Sequence, residues 1–127
     1  MFAAVLLAAG SPALACNDRV TQLDMNLCAR RDFEQVDAAL NVQWRKSVAL
    51  MKDRDKSIAD MPGDKRPTYS AALLDAQRAW LRFRDAECQV EGYSMRGGSA
   101  EPMVISGCLT QLTKTRIQQL KDLEQGY

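Results

Sequence analysis

Four polar residues fall where the sequence otherwise predicts a core. Asp37, Gln77, Arg84 and Arg116 interrupt apolar stripes of helical period, and Glu91, seven residues after Arg84, is also expected to point into the core. A buried arginine needs a partner, because it cannot lose its charge by releasing a proton. The pattern therefore predicts either a charge-compensated network inside the fold, with Asp37 facing Arg84 or Arg116, or a pocket for a carboxylate or a sugar.

We favour the network, because interior ion pairs commonly fix the register between helices. The other acidic group on this segment comprises Asp85, Glu87 and Glu91. Glycoside hydrolysis needs two carboxyl groups held across a substrate, and neighbours on one helix do not provide that. The chain has no histidine, which excludes Ser-His-Asp and Cys-His catalysis and histidine-ligated metals. We therefore predict no catalytic residue, no metal site, no cofactor and no enzymatic activity.

The charge balance argues against a nucleic-acid partner. Seventeen Lys and Arg residues face sixteen Asp and Glu residues, for a net charge of +1, and no basic face is implied. Gly97-Gly98 lacks the preceding strand and following lysine of a phosphate-binding loop.

The first fifteen residues resemble a secretory signal peptide. Phe2 to Ala15 is an apolar run of small residues that ends Ala13-Leu14-Ala15, as a cleavage site does, and it is too short to span a bilayer. The alternative is a buried apolar helix. We predict a signal peptide over residues 1–15 and one helical domain over residues 16–127, located in the periplasm or secreted.

Four cysteines in a small exported domain predict two disulfides. Three pairings are possible, and the helical layout favours Cys16–Cys28 and Cys88–Cys108. A lipid anchor on Cys16 would leave an odd number of cysteines, and Ala13 stands where a lipobox normally has leucine. We therefore do not expect a lipid anchor.

Apolar periodicity predicts an all-α fold, an antiparallel bundle of three long helices with a short N-terminal helix. The short helix follows a capping-box pattern at Thr21 and ends near Ala29, and Arg30-Arg31-Asp32 is either a bend or part of one continuous helix. The long helices are expected at about 32–56, 69–93 and 100–125. Thr68 or Ser70 can cap the second long helix, and Ser99 the third.

The loop between the last two helices is the best candidate for a partner contact. It contains Arg96, Gly97, Gly98, Ser99 and Glu101, and the predicted Cys88–Cys108 bridge lies at its base. We expect it to be flexible and exposed, and a stapled loop base suits the recognition of a protein. A plain interhelical turn is the alternative.

The run from Gln77 to Cys88, with a later glycine pair and cysteine, resembles the LprI-like family of secreted, lysozyme-inhibitor-type domains. The matching positions cover nearly the whole chain after residue 15: Met25–Ala29, Asp37, Leu40–Asn41, Gln77–Cys88, Gly97–Ser99, Pro102–Met103, Cys108, Leu112–Thr113, Arg116 and Leu120. The resemblance implies a small exported helical domain with two disulfides, and the name-giving member looks like a lysozyme inhibitor.

Two functions from different classes follow. The first is a binding protein that inhibits a lysozyme-type glycosidase by steric occlusion, with the Arg96–Glu101 loop as its contact. The second is a structural or scaffold module of the cell envelope without inhibitory activity.

Overall fold

The chain forms a bundle of α-helices. The computed structural model describes residues 16–18, 20–59, 61 and 63–126, and the predicted signal peptide lies outside them. Within these residues there are three helices, α1 (Gln22–Ile58), α2 (Tyr69–Gly92) and α3 (Glu101–Gln125), with a 3-10 turn at Tyr93–Met95 and no strand. The all-α prediction is confirmed for this part of the chain.

The predicted short N-terminal helix is not a separate element. It forms the first turns of α1, which begins with the predicted capping box between Thr21 and Asp24 and runs on through residues 30–32. This segment contains no glycine or proline that could break a helix. Arg30 also bonds Glu34 one turn later, at 3.1 Å, as in an uninterrupted helix.

The second helix begins at the predicted threonine cap. The Thr68 side chain accepts a hydrogen bond from the Ala71 amide. Asp55, near the end of α1, accepts hydrogen bonds from the Ser70 amide and hydroxyl. Asp55 therefore ties the end of α1 to the first turn of α2.

Contacts between the helices show an up-down-up arrangement. Gln22 contacts Met103, and the Gln43 amide donates to Glu124 at 2.6 Å, so α1 and α3 run parallel. The bridge from Cys88 to Cys108 joins the end of α2 to the start of α3, so these two are antiparallel. The interface between α1 and α3 is the most extensive of the three.

Two apolar clusters form the core. The cluster at the loop end contains Phe33, Cys88, Cys108 and Leu109, with Ile105 and Leu112 against it. The second contains Leu40, Met51, Leu73 and Leu120, with Trp44, Val48, Tyr69, Trp80, Ile117 and Leu123 against it. Each buried leucine contributes about 1.5–3 kcal/mol by leaving water.

Both disulfides have the pairing that the helical layout favours. Cys16 pairs with Cys28, and Cys88 pairs with Cys108. Close to the second bridge, α2 and α3 approach at Gly92, where an added Cβ would overlap the Ile105 side chain. A larger residue at this position would force Ile105 to move.

The core position expected for Glu91 is wrong, since this side chain is exposed. Glu91 has the same helical angle as the buried Leu73, eighteen residues earlier, so its direction around the helix does not explain its exposure. It is the last residue but one of α2, and at this end of the helix the neighbouring helices do not cover it. In the described part of the chain, no helix is long and apolar enough to span a membrane.

Candidate functional site

Arg84 is the centre of a polar layer between the two core clusters. It is 8% exposed, and its Nη1 donates to Asp37 of α1 at 3.1 Å and to Thr113 of α3 at 3.4 Å. Its Nε donates to Asp85 at 2.9 Å. The guanidinium carbon lies 5.3 Å from the Phe33 ring centre and 5.2 Å from that of Trp80, within cation–π range. Arg84 thus contacts all three helices.

Gln77 pairs with the other arginine of the layer. The Arg116 Nε donates to the Gln77 carbonyl at 2.9 Å, and its Nη1 donates to Gln119 at 3.3 Å. Burial lowers the pKa of Arg116, because desolvation disfavours the charged form. The Arg116 guanidinium also lies 5.9 Å from the Trp80 ring centre, so both arginines face the same tryptophan.

The four sequence-predicted polar residues therefore form two pairs. Asp37 lies with Arg84 and not with Arg116, while Gln77 bonds Arg116. The Asp37 side chain is 38% exposed, so water also solvates this carboxylate. The two pairs form a layer across the bundle, in which each arginine donates to its own partner and Nη2 of Arg116 is buried without a hydrogen bond to any residue that the structure describes.

Sequence reasoning missed several buried polar residues. Thr113 is fully buried beside Arg84, and Gln43 bonds Ser47 at 3.3 Å as well as Glu124. Gln43 and Ser47 lie at steps of three and four residues between Leu40 and Met51, so the helical period of the apolar residues could have predicted their burial.

The loop after α2 is exposed and held by hydrogen bonds. Gly97 has a φ of +77°, and its amide donates to the Glu101 carboxylate at 2.7 Å. The side-chain amide of Asn26 in α1 donates to the backbone carbonyl of Ser99 at 2.9 Å. The Arg96 guanidinium carbon lies 4.4 Å from the centre of the Tyr93 ring. These contacts fix the path of the loop that we expected to be flexible.

Ser99 does not cap α3, contrary to prediction. The helix begins one residue later than the serine would require, with Ala100 at the N-cap position and no side-chain cap. Glu101 turns back to the Gly97 amide, and the positive φ of Gly97 makes this turn possible. Pro102 lies in the first turn of α3, where its missing N–H costs no hydrogen bond.

A groove of about 600 Å³ separates this loop from the start of α1. The residues that line it are Leu23, Asn26, Leu27, Arg30, Gly97, Gly98, Glu101, Pro102, Ile105 and Ser106. Leu23 is 64% exposed and Leu27 is 47% exposed. We call the loop Arg96–Glu101 and this groove together the loop-end surface. It combines an apolar floor with charged groups at its edges, which is the make-up of a protein contact.

Among the residues that the structure describes, no three acidic or cysteine side chains converge to hold a metal ion. In the polar layer Arg84 pairs with Asp37, while Arg116 bonds the amides of Gln77 and Gln119. The charged side chains of the loop-end surface are exposed or engaged in turn contacts.

Comparisons with known proteins found a relative and a family model that match this chain. An uncharacterised protein of Rhizobium meliloti (strain 1021) is 42% identical over 118 residues, which cover 91% of this chain and 82% of the relative. No solved structure matches the chain. The model of the family described as lysozyme inhibitor LprI matches residues 15–120. The chain therefore belongs to the lysozyme inhibitor LprI family.

Proposed function

We propose that this protein inhibits a lysozyme-type glycosidase outside the cytoplasm by covering the enzyme's substrate cleft. The observation that carries the proposal is the family match over residues 15–120. The two disulfides support a periplasmic or secreted location, because such bonds persist in oxidising compartments.

The loop-end surface is the proposed contact. Its loop is exposed, yet Asn26 and Glu101 already fix its backbone, so little conformational entropy is lost when it binds. The exposed Leu23 and Leu27 beside it supply apolar area that a partner would bury. A fixed loop next to an apolar groove suits steric occlusion of a cleft.

Charge supports the same choice. Lysozyme-type glycosidases hold two carboxyl groups across the bond that they cleave, so their cleft attracts cations. Arg96 is exposed at the start of the loop and lies over the Tyr93 ring. Its guanidinium can approach those carboxylates without leaving a buried partner behind, and electrostatic complementarity of this kind speeds association and sets orientation.

A lysis assay tests the proposal. The purified, oxidised protein is added to several lysozyme types, and the clearing of a suspension of cell-wall material is followed by turbidity. We expect slower clearing at micromolar inhibitor and competition with soluble cell-wall oligosaccharide. Unchanged clearing with every lysozyme type would contradict inhibition and leave the envelope-scaffold function, while clearing by the protein alone would indicate an enzyme.

A further inference from the structure

Helix α2 carries a second apolar face, on the side away from the core. Its members follow one another at steps of four and three residues and are all exposed: Ala72, Ala76, Ala79, Phe83, Ala86 and Val90. Phe83 is 54% exposed and Val90 is 63% exposed. We call this set the α2 outer face.

The spacing of the α2 outer face is that of a helix–helix seam. Alternating steps of four and three residues give a repeat of 3.5, which keeps an apolar stripe in line with a second helix over several turns. The core side of the same helix uses other positions, including Gln77, Arg84 and Cys88. No helix of the described chain covers the outer stripe, since all of its members are exposed.

We propose that a second copy of this chain packs against the α2 outer face, with the two α2 helices antiparallel and the two-fold axis between Gln77 and Arg78. In this register Phe83 lies over the partner's Ala72, and Ala76 lies over the partner's Ala79. Phe83, the largest side chain of the stripe, then faces an alanine, and Val90 lies beyond the start of the partner's α2, so the helix axes can approach to about 8 Å.

Charges beside the seam favour this register. Asp75 and Arg82 flank the stripe on the same side, at positions where antiparallel helices bring their flanking charges together. Each Arg82 meets the partner's Asp75, and the symmetry repeats the pair. Asp75 and Arg82 are exposed, and neither has an ion pair within the described residues of its own chain.

This pairing leaves the loop-end surfaces free. With an axis between Gln77 and Arg78, the C-terminal ends of the two α2 helices lie about 40 Å apart, at 1.5 Å per residue. The dimer would present one loop-end surface at each end. Its interface belongs to the small class, so the dimer forms and dissociates with protein concentration in the micromolar range.

Sedimentation equilibrium of the oxidised protein, from about 1 to about 200 µM, tests the proposal. We expect a monomer–dimer equilibrium that Phe83→Asp shifts to monomer, with at least a tenfold rise in the dissociation constant. Val42→Asp is the matched control, because Val42 is an exposed apolar residue of α1, and we expect it to leave the equilibrium unchanged. Far-UV circular dichroism checks that each variant is folded.

A charge exchange tests the register. Arg82→Asp and Asp75→Arg should each weaken the dimer about tenfold, because like charges then face each other, and the double variant should restore it. A monomer at every concentration would overturn the proposal. A dimer insensitive to Phe83→Asp would also overturn it. A double variant as weak as the single ones would contradict the antiparallel register, since in a parallel pair Arg82 would meet the partner's Glu87 and not Asp75.

Discussion

Arg84 is the residue through which the three helices contact one another in the polar layer. We expect Arg84→Ala to lower the free energy of unfolding by about 2–4 kcal/mol, since it removes both the ion pair and the packing between two rings. Arg84→Met should recover more than half of the loss, because methionine fills the same space and the half-exposed Asp37 carboxylate stays solvated.

Urea unfolding followed by circular dichroism measures this effect. Arg78→Ala is the control, because Arg78 is exposed on the same helix, and it should change stability by less than about 0.5 kcal/mol. If Arg84→Ala matched that control, the polar layer would not stabilise the fold.

Arg96 is the side chain on which the proposed inhibition can be tested most directly. We expect Arg96→Ala to raise the concentration for half-inhibition of lysozyme about tenfold, since an arginine at the centre of a contact is a frequent hot spot. Arg45→Ala makes the same charge change on the outer face of α1 and should have less than about a twofold effect. Equal effects would place the contact elsewhere.

Asp64 gives a prediction about pH. Its pKa is lowered from 3.8 to about 2, chiefly by hydrogen bonds from the Arg66 side chain and amide. The pair therefore stabilises the turn above pH 3.8, and this contribution is lost as the pH falls through about 2. Arg66→Ala should raise the titration midpoint of Asp64 toward 3.8, as followed by the carboxyl carbon shift in NMR. A midpoint that stayed near 2 would contradict the assigned cause.

Sequence periodicity placed Gln77 and Arg84 on the correct face of their helix, but it could not choose the partner of Asp37. Periodicity gives the direction of a side chain around its helix and not its height relative to a neighbouring helix. That height depends on how α1 and α2 pack, which in turn depends on side chains along their whole contact. Glu91 was misplaced for a related reason, because periodicity does not show how far along α2 the neighbouring helices cover its inner face.

At the scale of elements, the capping residue predicts the start of a helix where no other group competes for the first turn. Thr21 and Thr68 cap their helices as predicted. The start of α3 differs, because Glu101 and the positive φ of Gly97 form a turn that leaves Ser99 outside the cap. The presence of a serine at position 99 could not show that the turn between Gly97 and Glu101 would form instead of a serine cap.

Gly92 sets the distance between α2 and α3 near the second disulfide. We expect Gly92→Ala to lower the free energy of unfolding by about 1–3 kcal/mol, because its Cβ would overlap Ile105. Gly107→Ala is the matched control within α3, where nothing lies within 4 Å of an added Cβ. It should instead stabilise by about 0.5–1 kcal/mol through helix propensity. Thermal melts of both variants measure the difference, and effects of the same sign would contradict the close approach.

At the scale of the whole molecule, the two disulfides should contribute equally to the stability of the fold but unequally to the binding of a partner. The Cys16–Cys28 bridge spans 12 residues and the Cys88–Cys108 bridge spans 20, so the chain-entropy model assigns each about 3 kcal/mol. Only the second bridge closes a ring that contains the Arg96–Glu101 loop. Replacing either pair of cysteines with alanine should therefore cost similar stability, as measured by urea unfolding.

Inhibition should respond differently to the two replacements. At a temperature where both variants are folded, Cys88→Ala/Cys108→Ala should raise the concentration for half-inhibition of lysozyme about tenfold, because the freed loop must be ordered again on binding. Cys16→Ala/Cys28→Ala should raise it less than about threefold, since the Asn26–Ser99 and Gly97–Glu101 bonds remain. If both replacements weakened inhibition equally, the loop would owe its shape to the bundle as a whole and not to the bridge at its base.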